Sequence, residues 1–414
     1  MKEIFFINDT AENKISYYHL LAFLAALPID RLYSQVIFIS FIIHTLIHLN
    51  KKKTGFALNK TVLISIALFL LQIISVLYSQ DKPNAFKELV RQLPILIFPL
   101  LFAFTSLDYR KYKMQFLLFF SLVCCLTIIY LFFESFRIII MYNLPINVLF
   151  SSAFINHNFS APVGIHATYL SMYAALSLVC SLYFFVTSFT FLQKISYGIA
   201  ICILAAGLIL LSSRAVIIAL CLILAVFPFL VLKGRKRIKY SLVVASILLL
   251  SFIGIMQIDP LKNRFTSDLS QDLSEPPVTG IILEPRVARW KCAAELIKKS
   301  PVIGYGSGSE KRLLKEKYFE QKLYTSYLNS LDAHNQYLSY LLKAGIPGLC
   351  VFLFVLISGF KAALRQKDIF FTAFLMLVTV VSVSENILDV NKGIFFFSFF
   401  FSLFFVRTQA FLKQ

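Results

Sequence analysis

The chain has 414 residues, 58% of them apolar and only 15% charged, with a formal charge of +19. Its apolar residues fall in long blocks broken by short basic patches, which excludes a soluble globular core and indicates helices that satisfy their own backbone hydrogen bonds in hydrocarbon. The basic residues mostly cap those blocks, so the charge speaks for membrane topology and against nucleic acid.

Apolar windows predict an all-α, polytopic membrane protein of about twelve transmembrane helices. They lie near 17–29, 34–50, 61–79, 93–106, 115–133, 167–189, 194–212, 215–233, 240–258, 336–361, 368–386 and 393–411. With the N-terminus on the cytoplasmic side, four basic clusters fall on one face: Lys51, Lys52, Lys53 and Lys60; Arg110, Lys111 and Lys113; Lys233, Arg235, Lys236, Arg237 and Lys239; Lys361, Arg365 and Lys367. That is the positive-inside bias, and it puts both termini in the cytoplasm. The first apolar block runs into Asp30 and Arg31 without a small-residue cleavage site, so it is expected to remain as a helix.

The chain is thus expected to be one membrane domain, 1–414, with one long periplasmic loop, 259–335, inserted between helices 9 and 10. The outer segment 80–92 carries Lys82, Lys87, Glu88 and Arg91. Within the long loop, Asn263 to Ile282 contains Pro276 and Pro277 and is expected to be irregular. A helix then starts at Pro285, with Val287, Trp290, Ala294 and Ile297 as its apolar face and Arg286 and Arg289 one turn apart. Pro301 and the glycines 304, 306 and 308 end it as a hinge, and a second polar helix spans about 309–323. That glycine run lacks the Lys-Ser/Thr ending of a phosphate loop. Gly345, Pro347 and Gly348 predict a kink in the tenth helix.

Six of the seven cysteines lie inside apolar blocks and only Cys292 is in the polar loop, so no local disulfide or metal cluster is expected. Metal and cofactor are both expected to be none. The candidates for chemistry are His334, where the polar loop returns to apolar helix, and two arginines at the ends of other apolar segments. Imidazole changes charge nearest neutrality and can take a proton from a hydroxyl. Arg214 sits in a tight turn between two apolar blocks and Arg286 opens the loop helix; a guanidinium held at a membrane boundary needs an anionic partner and grips phosphate with two parallel bonds. Arg289, Arg91, His166 and Asn335 are further binding candidates, and His157 and His166 compete with His334 for the role of base. Glu284 is expected only to pair with a nearby arginine.

Three motifs, taken in order, resemble the O-antigen ligase and polymerase family of bacterial membrane glycosyltransferases. They are Ser213-Arg214-Ala215, then Arg286-x-x-x-Trp290 with Pro301-x-x-Gly304-x-Gly306-x-Gly308, then His334-Asn335-x-x-Leu338 followed by Gly345-x-x-Gly348-Leu349. The likeness spans about 185–360, while the earlier helices are similar only in hydropathy.

The resemblance implies metal-independent transfer of a glycan from undecaprenyl diphosphate, at the periplasmic face of the inner membrane, to lipid A-core or another glycan acceptor. In that scheme Arg214 and Arg286 bind the diphosphate and His334 activates the acceptor hydroxyl. Ligase is the first reading and polymerase the second. A lipid-linked saccharide transporter is the reading from a different class. Transporters set charge at the bilayer midplane and repeat their halves, whereas these helix interiors read as almost free of charge.

Overall fold

The computed structural model describes residues 5–29, 31–49, 59–273 and 285–406, and among them every regular element is helical. Lys51, Lys52, Lys53, Pro276, Pro277 and Glu284 lie outside the described residues. Nine long helices come first: α1 (Ala11–Ala26), α2 (Arg31–Ile47), α3 (Lys60–Leu77), α4 (Lys82–Phe104), α5 (Lys113–Met141), α6 (Ala167–Thr187), α7 (Phe191–Leu211), α8 (Arg214–Val231) and α9 (Gly234–Met256). Five short ones follow: α10 (Asp259–Phe265), α11 (Ser267–Leu273), α12 (Arg286–Lys299), α13 (Glu310–Glu320) and α14 (Tyr324–Leu328). The chain closes with α15 (Gln336–Gln366), α16 (Ile369–Val381) and α17 (Asn391–Phe405).

A helix occupies each of the twelve apolar windows, with altered ends. Six of them, α3, α5, α6, α7, α8 and α15, are long and apolar enough to cross a membrane. The others are shorter or begin with polar turns; α4 starts at Lys82, so most of the segment 80–92, with Glu88 and Arg91, is helical. Asp81 caps that helix by accepting from the Asn84 N–H, and Pro83 sits in its first turn, where a missing N–H costs nothing. Residues 263–273, expected to be irregular, form the end of α10 and all of α11.

The core is built around α17, whose residues Lys392 to Phe405 are all buried. A helix apolar on every side has no face to present to water, so it belongs inside the bundle. Its phenylalanines interlock with rings of α4 and α16: Phe399 meets Phe98 edge-on at 5.8 Å, and Phe404 stacks on Phe371 at 5.3 Å.

Below the bundle's polar end, α15 breaks at Gly345, where φ is 61° and ψ −155°. Pro347 has no N–H for the Lys343 carbonyl, and the Ile346 N–H turns to Pro301 O at 2.9 Å, which leaves the carbonyls of Leu342 and Lys343 without helical donors. The glycine segment supplies them: Tyr305 N–H donates to Leu342 O at 2.8 Å and Gly306 N–H to Lys343 O at 2.9 Å. Backbone this close to backbone leaves no room for a side chain. A Cβ on Gly306 would stand 2.2 Å from Ser79 Cα, and one on Gly308 would stand 2.2 Å from the Ala85 nitrogen. The run 304–308 is therefore a pinned joint between α3, α4 and α15, not the hinge expected from its composition.

Gly306 also sits at φ 85°, so Gly306→Ala combines a left-handed backbone with a backbone clash and should cost of order 3 kcal/mol. The check is the melting midpoint of the detergent-purified protein, read by size exclusion after heating. An unchanged midpoint would mean the joint yields.

Candidate functional site

The polar ends of several helices converge on a cavity of about 610 Å³ lined by Arg214, Arg286, His334, His157, His166 and Trp290, with Arg264, Asp272 and Glu385 beside them. Arg214 reaches it because Ser212 ends α7 in a left-handed turn, φ 42°, and Ser213 is extended, so α8 begins with the arginine. α10 and α11 fold back over that turn: Arg264 Nε donates to Ser212 O at 3.1 Å. Asp272 on α11 then pairs with Arg214, and its Oδ2 lies 3.6 Å from Arg286 Nε. One carboxylate thus bridges the two arginines. Arg286 is fixed further by donating from Nη1 to Ser384 O at 2.9 Å.

His334 stands in a loop held from behind. Its φ of 46° is strained for a residue with a side chain, and such a conformation persists only where its surroundings impose it. Here they do. The Ala333 N–H donates to Glu310 Oε1 at 3.2 Å, the Asn335 N–H to Asn386 Oδ1 at 2.7 Å, and Asn386 Nδ2 donates to Glu310 Oε1 at 3.2 Å. Trp290 Nε1 donates to Ala333 O at 3.0 Å, tying α12 to the same loop. The imidazole Nδ1 lies 3.4 Å from Glu385 Oε2 and 3.7 Å from Asp332 Oδ1.

Glu385 is buried, which by itself would raise its pKa. The hydrogen bond from His334 and the field of the surrounding basic groups, Arg286 among them, together outweigh that, and the carboxyl ends below its ordinary value. A depressed carboxyl contributes stability above its unfolded pKa of about 4.3 and loses it as the pH falls through the folded value. At neutral pH the pair therefore presents an ionised carboxylate to Nδ1.

The remaining candidates fall differently. His157 and His166 pack against each other, ring centroids 4.0 Å apart, and both face the cavity. Each accepts a backbone N–H at Nδ1, His157 from Ala167 at 3.5 Å and His166 from Thr168 at 3.4 Å. That places their protons on Nε2. Burial, and then the charge of His166, push His157 down to about 4; burial likewise lowers His166. Both rings are neutral donors, which suits binding better than proton abstraction.

Arg289 is not in the cavity. It belongs to the buried face of α12, Ala288, Arg289, Cys292, Ala293 and Leu296, which packs on α13 and α15; the apolar face expected at Val287, Trp290, Ala294 and Ile297 is one residue out of phase. Its Nε has no hydrogen-bond partner among the described residues, and burial lowers its pKa. Asn335 is spent as a helix cap, its side chain accepting from the N–H groups of Tyr337 and Leu338. Arg91 lines a second cavity, separate from Arg214 and Arg286.

Two features were not legible beforehand. Glu385 lies inside the apolar window 368–386, which in fact ends at Val381; a carboxylate within an apolar block was itself the signal, because such a charge is kept only where it has partners. Lys343 is buried in α15 with Nζ 2.8 Å from Asp389, 3.4 Å from Glu88 and 3.5 Å from Glu310. Helix interiors are therefore not as free of charge as the sequence suggested. Among the described residues no group of three or more His, Cys, Asp or Glu side chains is arranged to hold a metal ion.

Residues 199–353 match the family model described as O-antigen ligase. The matched stretch contains Arg214, Arg286 and His334 and stops short of Glu385. No curated protein matches the chain significantly.

Proposed function

With residues 199–353 in the O-antigen ligase family and six helices fit to cross a membrane, we propose that this integral membrane protein is a glycosyltransferase of the ligase or polymerase type. It takes a glycan from undecaprenyl diphosphate at the periplasmic face of the inner membrane, without a metal ion. The observation that carries this is the meeting of Arg214, Arg286 and His334 around one cavity, where a single carboxylate, Asp272, already bridges the guanidinium pair.

The donor's diphosphate takes the position of the Asp272 carboxylate, and the alkyl side chains of Ile218, Leu222, Val380 and Val383 border its first isoprenes. With Nδ1 directed at Glu385, His334 keeps its proton there and offers the Nε2 lone pair. The acceptor hydroxyl oxygen attacks the anomeric carbon and its proton passes to Nε2. The bond from that carbon to the diphosphate oxygen breaks, its electron pair staying on the oxygen, and Arg214 and Arg286 stabilise the charge as it grows. The acceptor is lipid A-core in the ligase reading and a second lipid-linked glycan in the polymerase reading.

The test is a transfer assay in detergent with purified lipid-linked glycan and both acceptors, scored for ligation and for chain extension. Absence of both products from the folded protein would refute the function. A deletion strain separates the readings: finished glycan accumulating on its carrier marks a ligase, single-unit capping a polymerase.

Asp272 sharpens the test. Removing a partly exposed carboxylate that competes for the arginines is worth about 1 kcal/mol, so Asp272→Asn should lower the donor KM several-fold. A raised donor KM would show that Asp272 supports the site instead of occupying it.

A further inference from the structure

A second cavity, of about 500 Å³, lies beside the first, and His166 lines both. Asp332, which faces the second cavity, is 3.7 Å from His334 Nδ1, so the imidazole stands at the boundary between the two spaces. Resting on the transfer reaction proposed above, we infer that this second cavity binds the acceptor as a neutral, polyhydroxylated sugar.

Its walls argue for that ligand class. The first cavity has a guanidinium pair and a border of alkyl groups; the second has Glu88, Glu310 and Asp389 gathered on the buried ammonium of Lys343, with Arg91 and Lys311 beside them. The carboxylates are thus largely matched within the protein. An anion entering would face several carboxylates, and an isoprene chain would strip water from charged groups without replacing its hydrogen bonds. A sugar ring does neither. Each of its hydroxyls both donates and accepts, which is what a wall of mixed carboxylates and cationic N–H groups requires. At the junction, His166 has Nδ1 engaged by Thr168 and so presents an Nε2–H donor to whichever sugar sits there.

The division also gives the reaction its geometry. The diphosphate occupies the arginine cavity, the acceptor ring the carboxylate-lined one, and the attacking hydroxyl reaches the anomeric carbon past His334 and His166. Arg91, which stands apart from the other arginines, is then an acceptor-binding residue. Its Nη1 donates to the Asp389 carbonyl at 2.8 Å, which aims the guanidinium along the cavity wall, while Lys311 is exposed on α13 at the rim.

The experiment uses the full chain in liposomes with undecaprenyl-diphosphate-linked oligosaccharide as donor. Lipopolysaccharide lacking O-chain and the lipid-linked oligosaccharide itself are the two acceptor probes, and both products are scored. Arg91→Ala and Lys311→Ala should each raise the KM for the productive acceptor about tenfold, the loss of roughly one charged hydrogen bond, and leave the donor KM within about twofold. Lys311→Ala guards against a merely structural effect of losing the Arg91 tie to Asp389. If the donor KM rises instead, or neither KM moves in both variants, the assignment of this cavity is overturned. If the unaltered protein forms neither product, it is the glycosyltransferase reading itself that fails.

Discussion

His334→Ala lowers the rate of glycan transfer by about 10²–10⁴-fold, the range contributed by a positioned general base, while the donor KM stays within a small factor. The expectation follows from the pairing of two groups. Glu385, kept ionised by its neighbours, lies 3.4 Å from Nδ1 and leaves Nε2 as the free nitrogen. Because the histidine acts on the acceptor hydroxyl and makes no contact with the diphosphate in this scheme, its loss should appear in kcat and not in donor binding. A stopped assay with labelled lipid-linked glycan reads both. Glu385→Gln belongs in the same series: it keeps the shape but removes the charge that stabilises a protonated ring, so it should fall between the unaltered protein and His334→Ala. If His334→Ala turns over normally, the base lies elsewhere, and His157 and His166 are the rings to replace next.

Arg214→Lys should lower kcat by about 10²-fold or more, the effect of removing one preorganised donor from a developing oxyanion. Lysine keeps the charge but not the planar fork that holds two oxygens at once. It is also too short of donors to hold a diphosphate while keeping the contact with the Arg264 carbonyl that Arg214 Nη1 makes at 3.4 Å. Transfer kinetics at saturating donor give the number. Near-normal kcat in a folded Arg214→Lys protein would remove Arg214 from the leaving-group role. The two substitutions differ in a further respect: substrates with a more acidic leaving phosphate should rescue Arg214→Lys in part and should not rescue His334→Ala.

The sequence exposed those positions whose expense is local. Arg214 at the junction of two apolar blocks, Arg286 at the head of a loop helix and His334 at the edge of another block are each anomalous where they stand, and the structure brings all three to one cavity. What depends on partners far along the chain was hidden. Glu385 falls inside what the sequence reads as an apolar stretch, and nothing nearby in sequence indicates that His334 and Arg286 surround it. Lys343 is similar: its partners Glu88, Glu310 and Asp389 come from α4, α13 and the turn before α17.

Arg289 was misread for a different reason. Helix periodicity is insensitive to a phase error of one residue when the faces are weakly apolar, and α12 carries both an arginine and a cysteine on its buried side. The glycine run was misread because composition signals freedom of the backbone, while its use here is close approach. Which of those meanings applies is decided by the broken turn of α15 opposite it.

The tethered carboxylate of Asp272 has a consequence for selectivity. A membrane surface is crowded with single-phosphate headgroups, and an uncovered guanidinium pair would hold them as readily as any rare carrier lipid. With a built-in counterion in place, an incoming headgroup trades one monoanionic partner for another and gains little. A pyrophosphoryl group carries oxygens for both arginines at once and so has the advantage over the bulk lipids.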